Sequence, residues 1–582
     1  MKNLDLKTII LARYPSLNNK PRIFKKVFFG FLEKILYINK INAFLERNGN
    51  YKGINFIDEI FEYLNFSFTV SNKDIKRIPS EGRLICVANH PVGSLDGLAL
   101  IKLIYEIRQD VKIIANDILA NITNIENFFL PYNIYSIAAQ KNNVNEINNA
   151  LEREEAVIIF PAAEVSRLKG ITVTDSRWNK GAVFFAKKFH TPILPIKVIA
   201  KNSFLFYLVS VLHKNLSTML LVHELFNKEN KTIHIKIGDP IPAKAFSSSF
   251  IKDKMQIKLL KKHVYGLGRK KIYNTEKNII HPVSRQLIKK ELDNSDLLGK
   301  TSDEKNIIMT DYDLAPNVLT EIARLREVTF RRVGEGTGKK LDLDEYDKYY
   351  KHLVVWDDKA LEIVGAYRIG LGKNIGRNYG YKGFYTSTLF KFSDKFINDF
   401  LPNSIELGRS FVQKKYWNTN ALNYLWQGIG AFIAQNDDVK FLIGPVSISK
   451  TYPDNAVQNI VHYYKKWFTS TDILGEAKNK FTIPPVIHSE LSEKYNLDDR
   501  KTEYNILKSS LKPFGFTVPV LYKHYSELCE DEGVSFIDFG VDADFENCVD
   551  GLILVDISKI KEEKKERFIT PFRREKTFHY QY

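Results

Sequence analysis

A histidine and an aspartate share one tight turn in Val87-Ala88-Asn89-His90-Pro91-Val92-Gly93-Ser94-Leu95-Asp96-Gly97, directly after the apolar run Leu84-Ile85-Cys86-Val87-Ala88. An imidazole so placed can take the proton of a hydroxyl as it attacks a thioester, and a nearby carboxylate fixes the ring's tautomer and stabilises its charged form. A second turn, Phe160-Pro161-Ala162-Ala163-Glu164-Val165-Ser166-Arg167, also follows an apolar run, and Pro192-Ile193-Leu194-Pro195-Ile196 comes third. One histidine near one aspartate is more often structural than catalytic. Three landmarks in this order reverse that weighting.

These turns need a scaffold, and the first half alternates strand-like and helix-like stretches. Strands are expected at 84–88, 111–115, 156–160, 192–199 and 232–237, and helices at 97–106, 144–153 and 181–189. Such alternation predicts an α/β domain. From 251 to about 317 the pattern gives way to charged stretches such as Arg269-Lys270-Lys271, where a junction fits best, with a helix at 284–292. The second half opens on a helical pattern at 318–330, then strands at 352–356, 363–369, 404–407 and 440–444, with a helix at 419–435 between the last two. This predicts a second α/β domain. The expected division is 1–250, a connecting segment 251–316, and 317–582, with no role assigned to 468–582.

Length and composition agree with two domains. The 582 residues exceed one ordinary core. A hydrophobic fraction of 44% and a charged fraction of 26% are those of a globular chain. Cysteines occur only at Cys86, Cys529 and Cys548, which supports neither a disulfide framework nor a metal cluster, so no metal site is expected. Met1–Lys7 carries charged and polar residues where an export signal needs an apolar stretch, and none is expected. The apolar stretch Phe204–Leu212 falls short of the roughly 20 residues of a membrane span. A net charge of +17 calls for an acidic partner or surface: nucleic acid, anionic lipid or an acidic carrier protein. No nucleic-acid recognition motif accompanies it. Aromatics and lysines in Phe24–Tyr37 suit a helix lying on a membrane and, equally, a core helix with solvated lysines.

The three landmarks resemble the glycerolphosphate and lysophospholipid acyltransferase family over about residues 70–245. Five residues separate His90 from Asp96 where four are common, a spacing similar to the hemolysin-related, ornithine-lipid O-acyltransferase branch, and Ala163 stands where glycine is usual. The resemblance implies that His90 is the general base and that Asp96 orients it. It also implies acceptor binding by Asn89 and Gly93 of the first turn and by Glu164, Ser166 and Arg167 of the second. Arg167 is the best suited of these to an anionic group.

In the second half, Arg326-x-x-x-Phe330, Asp344 and Asp347, Val364-Gly365-Ala366-Tyr367-Arg368 and Glu406-Leu407-Gly408-Arg409 resemble the acyl-homoserine-lactone synthases, which have the GNAT N-acyltransferase fold. Gly334-Glu335-Gly336 lies where those enzymes carry a tryptophan. The closer resemblance, from 317 to about 470, is to ornithine-lipid N-acyltransferases, through Tyr346-Asp347, His352-Leu353-Val354-Val355 and Ile443-Gly444-Pro445-Val446-Ser447. It implies an α-amine acylated by a 3-hydroxyacyl chain. Glu406 would be the base that frees the amine, directly or through water. Arg368 and Arg409 would hold the amino-acid carboxylate. Asp344 and Asp347 would bind a cationic side chain or order their loop, Arg326 completes the set, and backbone donors at a splayed strand would stabilise the oxyanion. For each residue singly, a purely structural ion-pair role is an equal reading.

Together the resemblances imply a two-domain α/β acyltransferase: a glycerolphosphate-acyltransferase-like domain followed by a GNAT-like domain. The second half would N-acylate ornithine, and the first would esterify the new 3-hydroxyl to give an ornithine lipid. Glycine or another amino acid is the alternative acceptor, and a lysophospholipid acyltransferase with an accessory GNAT-like domain is a further one. No cofactor is expected beyond the phosphopantetheine of acyl carrier protein, which bears the donors. The expected partners are that carrier, the amino acid, the lyso-lipid and the cytoplasmic face of a bacterial inner membrane, bound peripherally and without nucleic acid.

Overall fold

The computed structural model describes residues 21–35, 37–116, 122–132, 137–170, 172–212, 214–247, 251–470 and 472–576. The export-signal expectation at Met1–Lys7 lies outside them. The chain divides between His281 and Pro282 into two compact units. The stretch 251–316 is shared between them. The helix Asp253–Tyr265 belongs to the first, and the helix Arg285–Leu292 with two strands belongs to the second.

The first unit contains β1 (Ser67–Thr69), β2 (Leu84–Ala88), β3 (Val111–Asn116), β4 (Phe129–Tyr132), β5 (Ala156–Ile159), β6 (Arg167–Lys169), β7 (Thr172–Thr174), β8 (Ile193–Ile199) and β9 (Thr232–Ile237). Seven of them form one sheet in the order β1-β9-β8-β2-β5-β3-β4, parallel except between β8 and β9. β6 and β7 form a separate hairpin. The unbroken apolar run of β2 is explained by burial on both faces. Leu84, Cys86 and Ala88 enter one core and Ile85 and Val87 the other, as a central parallel strand requires. Each such valine, leucine or isoleucine contributes about 1.5–3 kcal/mol by leaving water. The helix Ser94–Tyr105 begins on the turn that follows β2, so the strand and the helix start hold the loop between them. The helix of the amphipathic stretch runs Arg22–Ile35, with Phe29 buried and Ile23 and Val27 exposed.

The second unit contains β10 (Asp296–Lys300), β11 (Asn306–Thr310), β12 (Lys351–Asp357), β13 (Glu362–Leu371), β14 (Phe390–Phe392), β15 (Ser404–Val412), β16 (Phe441–Ile448), β17 (Gly475–Ala477), β18 (Val534–Asp542) and β19 (Cys548–Asp556). Eight form a sheet in the order β10-β11-β12-β13-β15-β16-β19-β18, antiparallel except for β15 beside β16. β12 shows the two-faced alternation again. Leu353 and Val355 pack with the helix Ala421–Gln435, while Val354 and Trp356 pack with the helix Pro316–Arg332. The carboxy-terminal residues left without a role supply β18 and β19, the latter in the sheet interior between β16 and β18.

Candidate active sites

The turn after β2 is built around one carboxylate. Asp96 lies in the first turn of its helix and is fully buried. Its Oδ2 accepts the N–H groups of Val92 at 2.9 Å and Gly93 at 3.2 Å. The same oxygen lies 3.2 Å from His90 Nδ1, a contact of ion-pair length bent away from a linear hydrogen bond. Gly93 caps the helix at φ 92°, a conformation that glycine takes without strain. With Nδ1–H turned to the carboxylate, Nε2 is the ring's free base, and the imidazole is part-exposed. Burial pushes the Asp96 carboxyl above its usual range, and His90 with the two backbone donors pulls the other way.

Phe160 of the second landmark stacks on the His90 ring, with 4.1 Å between centroids and 24° between planes. The backbone N–H of Ser166 donates to the His90 carbonyl at 2.7 Å. Asp175, which no sequence motif marks, joins the two turns. It accepts the His90 N–H at 3.3 Å, the Ser166 hydroxyl, and Trp178 Nε1 at 2.8 Å. Ser166 is thereby buried on Asp175. Arg167 donates to the Ser217 hydroxyl, lies against the Phe206 ring, and has Nε 3.7 Å from Glu164. Asn89 exchanges two hydrogen bonds with the Val198 backbone, at 2.8 and 2.9 Å, and so pins the end of β2 to β8. Ala163 takes φ 55°, the left-handed conformation for which glycine is the usual choice.

In the second unit β15 and β16 pair only at Ser404–Glu406 with Phe441–Ile443 and then part. At the fork Gly444 lies so close to the Leu407 carbonyl that a Cβ would stand 2.1 Å from its oxygen. Beyond it β15 bulges at Arg409, which has φ 48°. The parted strands line a cleft of about 130 Å³ with Gly408, Arg409 and Ser410 on one side and Val446 and Ser447 on the other. Backbone groups freed from pairing at such a fork can receive an extended acyl thioester and polarise its carbonyl.

The charged residues read from sequence come together, mostly away from this cleft. Arg326 pairs with Asp347 at 2.7 Å, Arg368 lies between Asp344 and Asp347, and Arg409 is 3.4 Å from Asp342 and 3.8 Å from Asp344. Arg326, Arg368 and Asp347 are fully buried. His352 completes the network, and burial with the Arg326 charge pushes its imidazole down to about 3, so it is neutral there. Of this set Arg409 lines the cleft, stacked on Tyr385 and Phe545. Glu406 is buried behind it. Its carboxylate accepts the Tyr350 and Thr386 hydroxyls and the backbone N–H groups of Tyr385 at 3.0 Å and Thr386 at 2.7 Å. Four donors fill its capacity and place the Tyr385 segment at the cleft. Three carboxyls that the motifs did not mark, Glu335, Asp542 and Asp550, line the cleft itself. The signal for Glu335 was its place between two glycines at a helix end. Asp550 lies on β19, in the stretch left unassigned.

Residues 10–271 match the Acyltransferase family, and residues 325–427 match the Acetyltransferase (GNAT) domain. The chain is 35% identical over 306 residues to a glycine N(alpha)-acyltransferase of Bacteroides thetaiotaomicron, covering 50% of this chain and 90% of that protein. It is 27% identical over 255 residues to a lyso-glycine lipid O-acyltransferase of the same organism, covering 42% of this chain and 91% of the relative. An L-ornithine N(alpha)-acyltransferase of Rhizobium meliloti is 28% identical over 146 residues, covering 24% of this chain and 48% of the relative.

Proposed function

The chain belongs to the acyltransferase family of the Bacteroides glycine N(alpha)-acyltransferase, and on this premise we propose that its two units make a glycine lipid in two consecutive steps. In the second unit the glycine nitrogen attacks a 3-hydroxyacyl thioester, so that a C–N bond forms as the C–S bond breaks. In the first unit the 3-hydroxyl of that product attacks a second acyl thioester. His90 takes the hydroxyl proton, and Asp96 holds the ring for it.

The observation that carries this reading is the pairing of relatives. One polypeptide aligns with about nine-tenths of each of two separate Bacteroides proteins, and their names describe successive acylations. Glycine takes precedence over ornithine as acceptor because the glycine-named relative aligns over 306 residues and the ornithine-named one over 146. Acyl carrier protein, being acidic, suits the chain's +17 charge as the source of both thioesters. A peripheral place at the cytoplasmic face of the membrane fits the helix Phe204–Leu212, which leaves Phe204, Leu205, Leu208 and Val211 exposed on the unit that handles the lyso-lipid. No helix among the described residues is long and apolar enough to cross a bilayer.

The test is expression in a bacterium without aminolipids, fed isotopically labelled glycine or ornithine, with mass analysis of the extracted lipids. Glycine label is expected in a mono-acylated and a di-acylated lipid, and His90→Ala is expected to leave only the first. Label from ornithine alone would overturn the acceptor, and no new aminolipid would overturn both steps. Loss of the mono-acylated lipid in His90→Ala would overturn the division of labour.

A further inference from the structure

We propose that Glu335 is the general base of the second unit, the group that takes a proton from the acceptor's ammonium. This role rests on the reading of that unit as an amino-acid N-acyltransferase. The backbone fixes the residue firmly. The helix Pro316–Arg332 ends with Gly334 at φ +77°, and the Glu335 N–H returns to the Phe330 carbonyl at 2.8 Å while Gly334 N–H reaches Arg331 at 3.3 Å. Both bonds are those of a helix-terminating turn with glycine in the left-handed position. A Cβ on Gly334 would lie 3.1 Å from Thr451, and one on Gly336 would lie 2.3 Å from the Arg331 side chain. Glu335 is thus the one side chain this turn presents between two sites that tolerate none.

The other carboxyls near the fork are occupied. Glu406 is saturated by four donors. Asp542 accepts the Asp544 N–H at 2.9 Å and faces the Tyr385 hydroxyl at 3.4 Å. Asp550 is buried and is approached by Cys548 Sγ at 3.6 Å and by the Ser447 hydroxyl. Glu335 lines the same cleft half-buried, and its carboxylate makes no hydrogen bond or ion pair among the described residues. The charged and titratable groups around it are Asp550 and Cys548 of β19, Arg409 of β15 and Tyr452. Burial, then the like charge of Asp550, pushes the Glu335 carboxyl up to about 7, with Arg409 opposing. Burial carries the Asp550 carboxyl to about 7 as well, and it is the hydrogen bonds already made to Asp550 that set the two apart. A base poised there combines a useful ionised fraction with the strength to accept a proton.

The step balances without a co-reactant beyond the acyl thioester. The ammonium gives one proton to Glu335, and the freed nitrogen attacks the carbonyl carbon. The adduct expels the thiolate, which leaves with the second nitrogen proton, and Glu335 returns its own to solvent. Arg409, on the facing strand, is the cation placed to hold the acceptor's carboxylate.

The experiment measures kcat and KM of the full-length chain against pH with glycine and a 3-hydroxyacyl thioester. In the wild type kcat/KM should rise with pH through a limb near 7. Glu335→Gln should lower kcat about 10²- to 10⁴-fold with KM changed less than about threefold, and the limb should vanish so that the residual rate follows the free amine. Glu335→Asp should keep the limb at a reduced rate, and Asp550→Asn should move it to lower pH by removing a like charge. Glu335→Gln with undiminished rate and limb would overturn the proposal, as would a limb lost in Asp550→Asn alone. Should Glu335→Gln fail to fold, an unmoved limb in Asp550→Asn also overturns it. A wild type that acylates neither glycine nor ornithine removes the premise, a signature distinct from an active but unaffected variant.

Discussion

His90 Nδ1 lies 3.2 Å from an Asp96 oxygen that also accepts the N–H groups of Val92 and Gly93, so one buried carboxylate both starts a helix and faces the imidazole. An amide in its place keeps an oxygen for the backbone donors and for Nδ1–H, but it removes the negative charge that stabilises the imidazolium formed when His90 takes the hydroxyl proton. Asp96→Asn is therefore expected to lower O-acylation about 10²-fold or more in an assay with isolated lyso-lipid. Stability should respond in the opposite sense. The folded-state carboxyl is raised, so the folded chain binds the proton more tightly, and stability falls as pH rises from the ordinary carboxylate value through the raised one. The amide escapes that loss. Thermal unfolding should show the variant at least as stable as wild type at neutral pH, and a large destabilisation would contradict the assignment of strain to the charge.

Arg326 and Asp347 form a fully buried ion pair that does not line the cleft. Removing one partner leaves the other charge without compensation, and Asp347→Asn is expected to destabilise the second unit by about 3–5 kcal/mol in denaturant unfolding. Burial alone would raise the Asp347 carboxyl, yet the charges of Arg326 and Arg368 outweigh it and hold the group far below its ordinary value. Its contribution is thus present above the unfolded value of about 3.9 and is lost as pH falls below it. Acid unfolding of wild type in that range, flattened in Asp347→Asn, is the expected pattern.

Ala163 occupies φ 55° in the turn that presents Glu164. Left-handed backbone costs an alanine about 1–2 kcal/mol, of which glycine's greater unfolded-state freedom offsets about 0.4–1. Ala163→Gly is expected to raise stability by about 0.5–1 kcal/mol in chemical denaturation, with O-acylation retained. A loss of stability would mean that the methyl group packs to advantage.

Sequence patterns were most legible where burial gives a regular signal, an unbroken apolar run in β2, buried on both faces, and strict alternation in β9, buried on one. Leu84–Ala88 and Thr232–Ile237 carry their strands at the expected limits, and the helix expected at 419–435 runs Ala421–Gln435. β19 was not legible, because Asp550 and Gly551 interrupt its apolar run although the strand is almost wholly buried. Residue types marked Arg326, Asp344, Asp347, Arg368 and Arg409 as one group, and they do form one. Type and spacing carry no information on which guanidinium faces a cleft, which depends on the bulge at Arg409 and the fork at Gly444. Asp175 lies on no motif, because it acts through tertiary contacts with His90, Ser166 and Trp178.

β16 is flanked on one side by β15, its predecessor in the chain, and on the other by β19, whose pairing runs the length of Phe441–Ile448. A ribosome adds residues at about 5–20 per second, so the roughly 100 residues between these strands leave the edge of β16 bare for about 5–20 s while the chain is still growing. That edge is an apolar template for the wrong neighbour until β19 arrives. The cleft therefore cannot close around Asp550 until β19 has been made and has paired with β16.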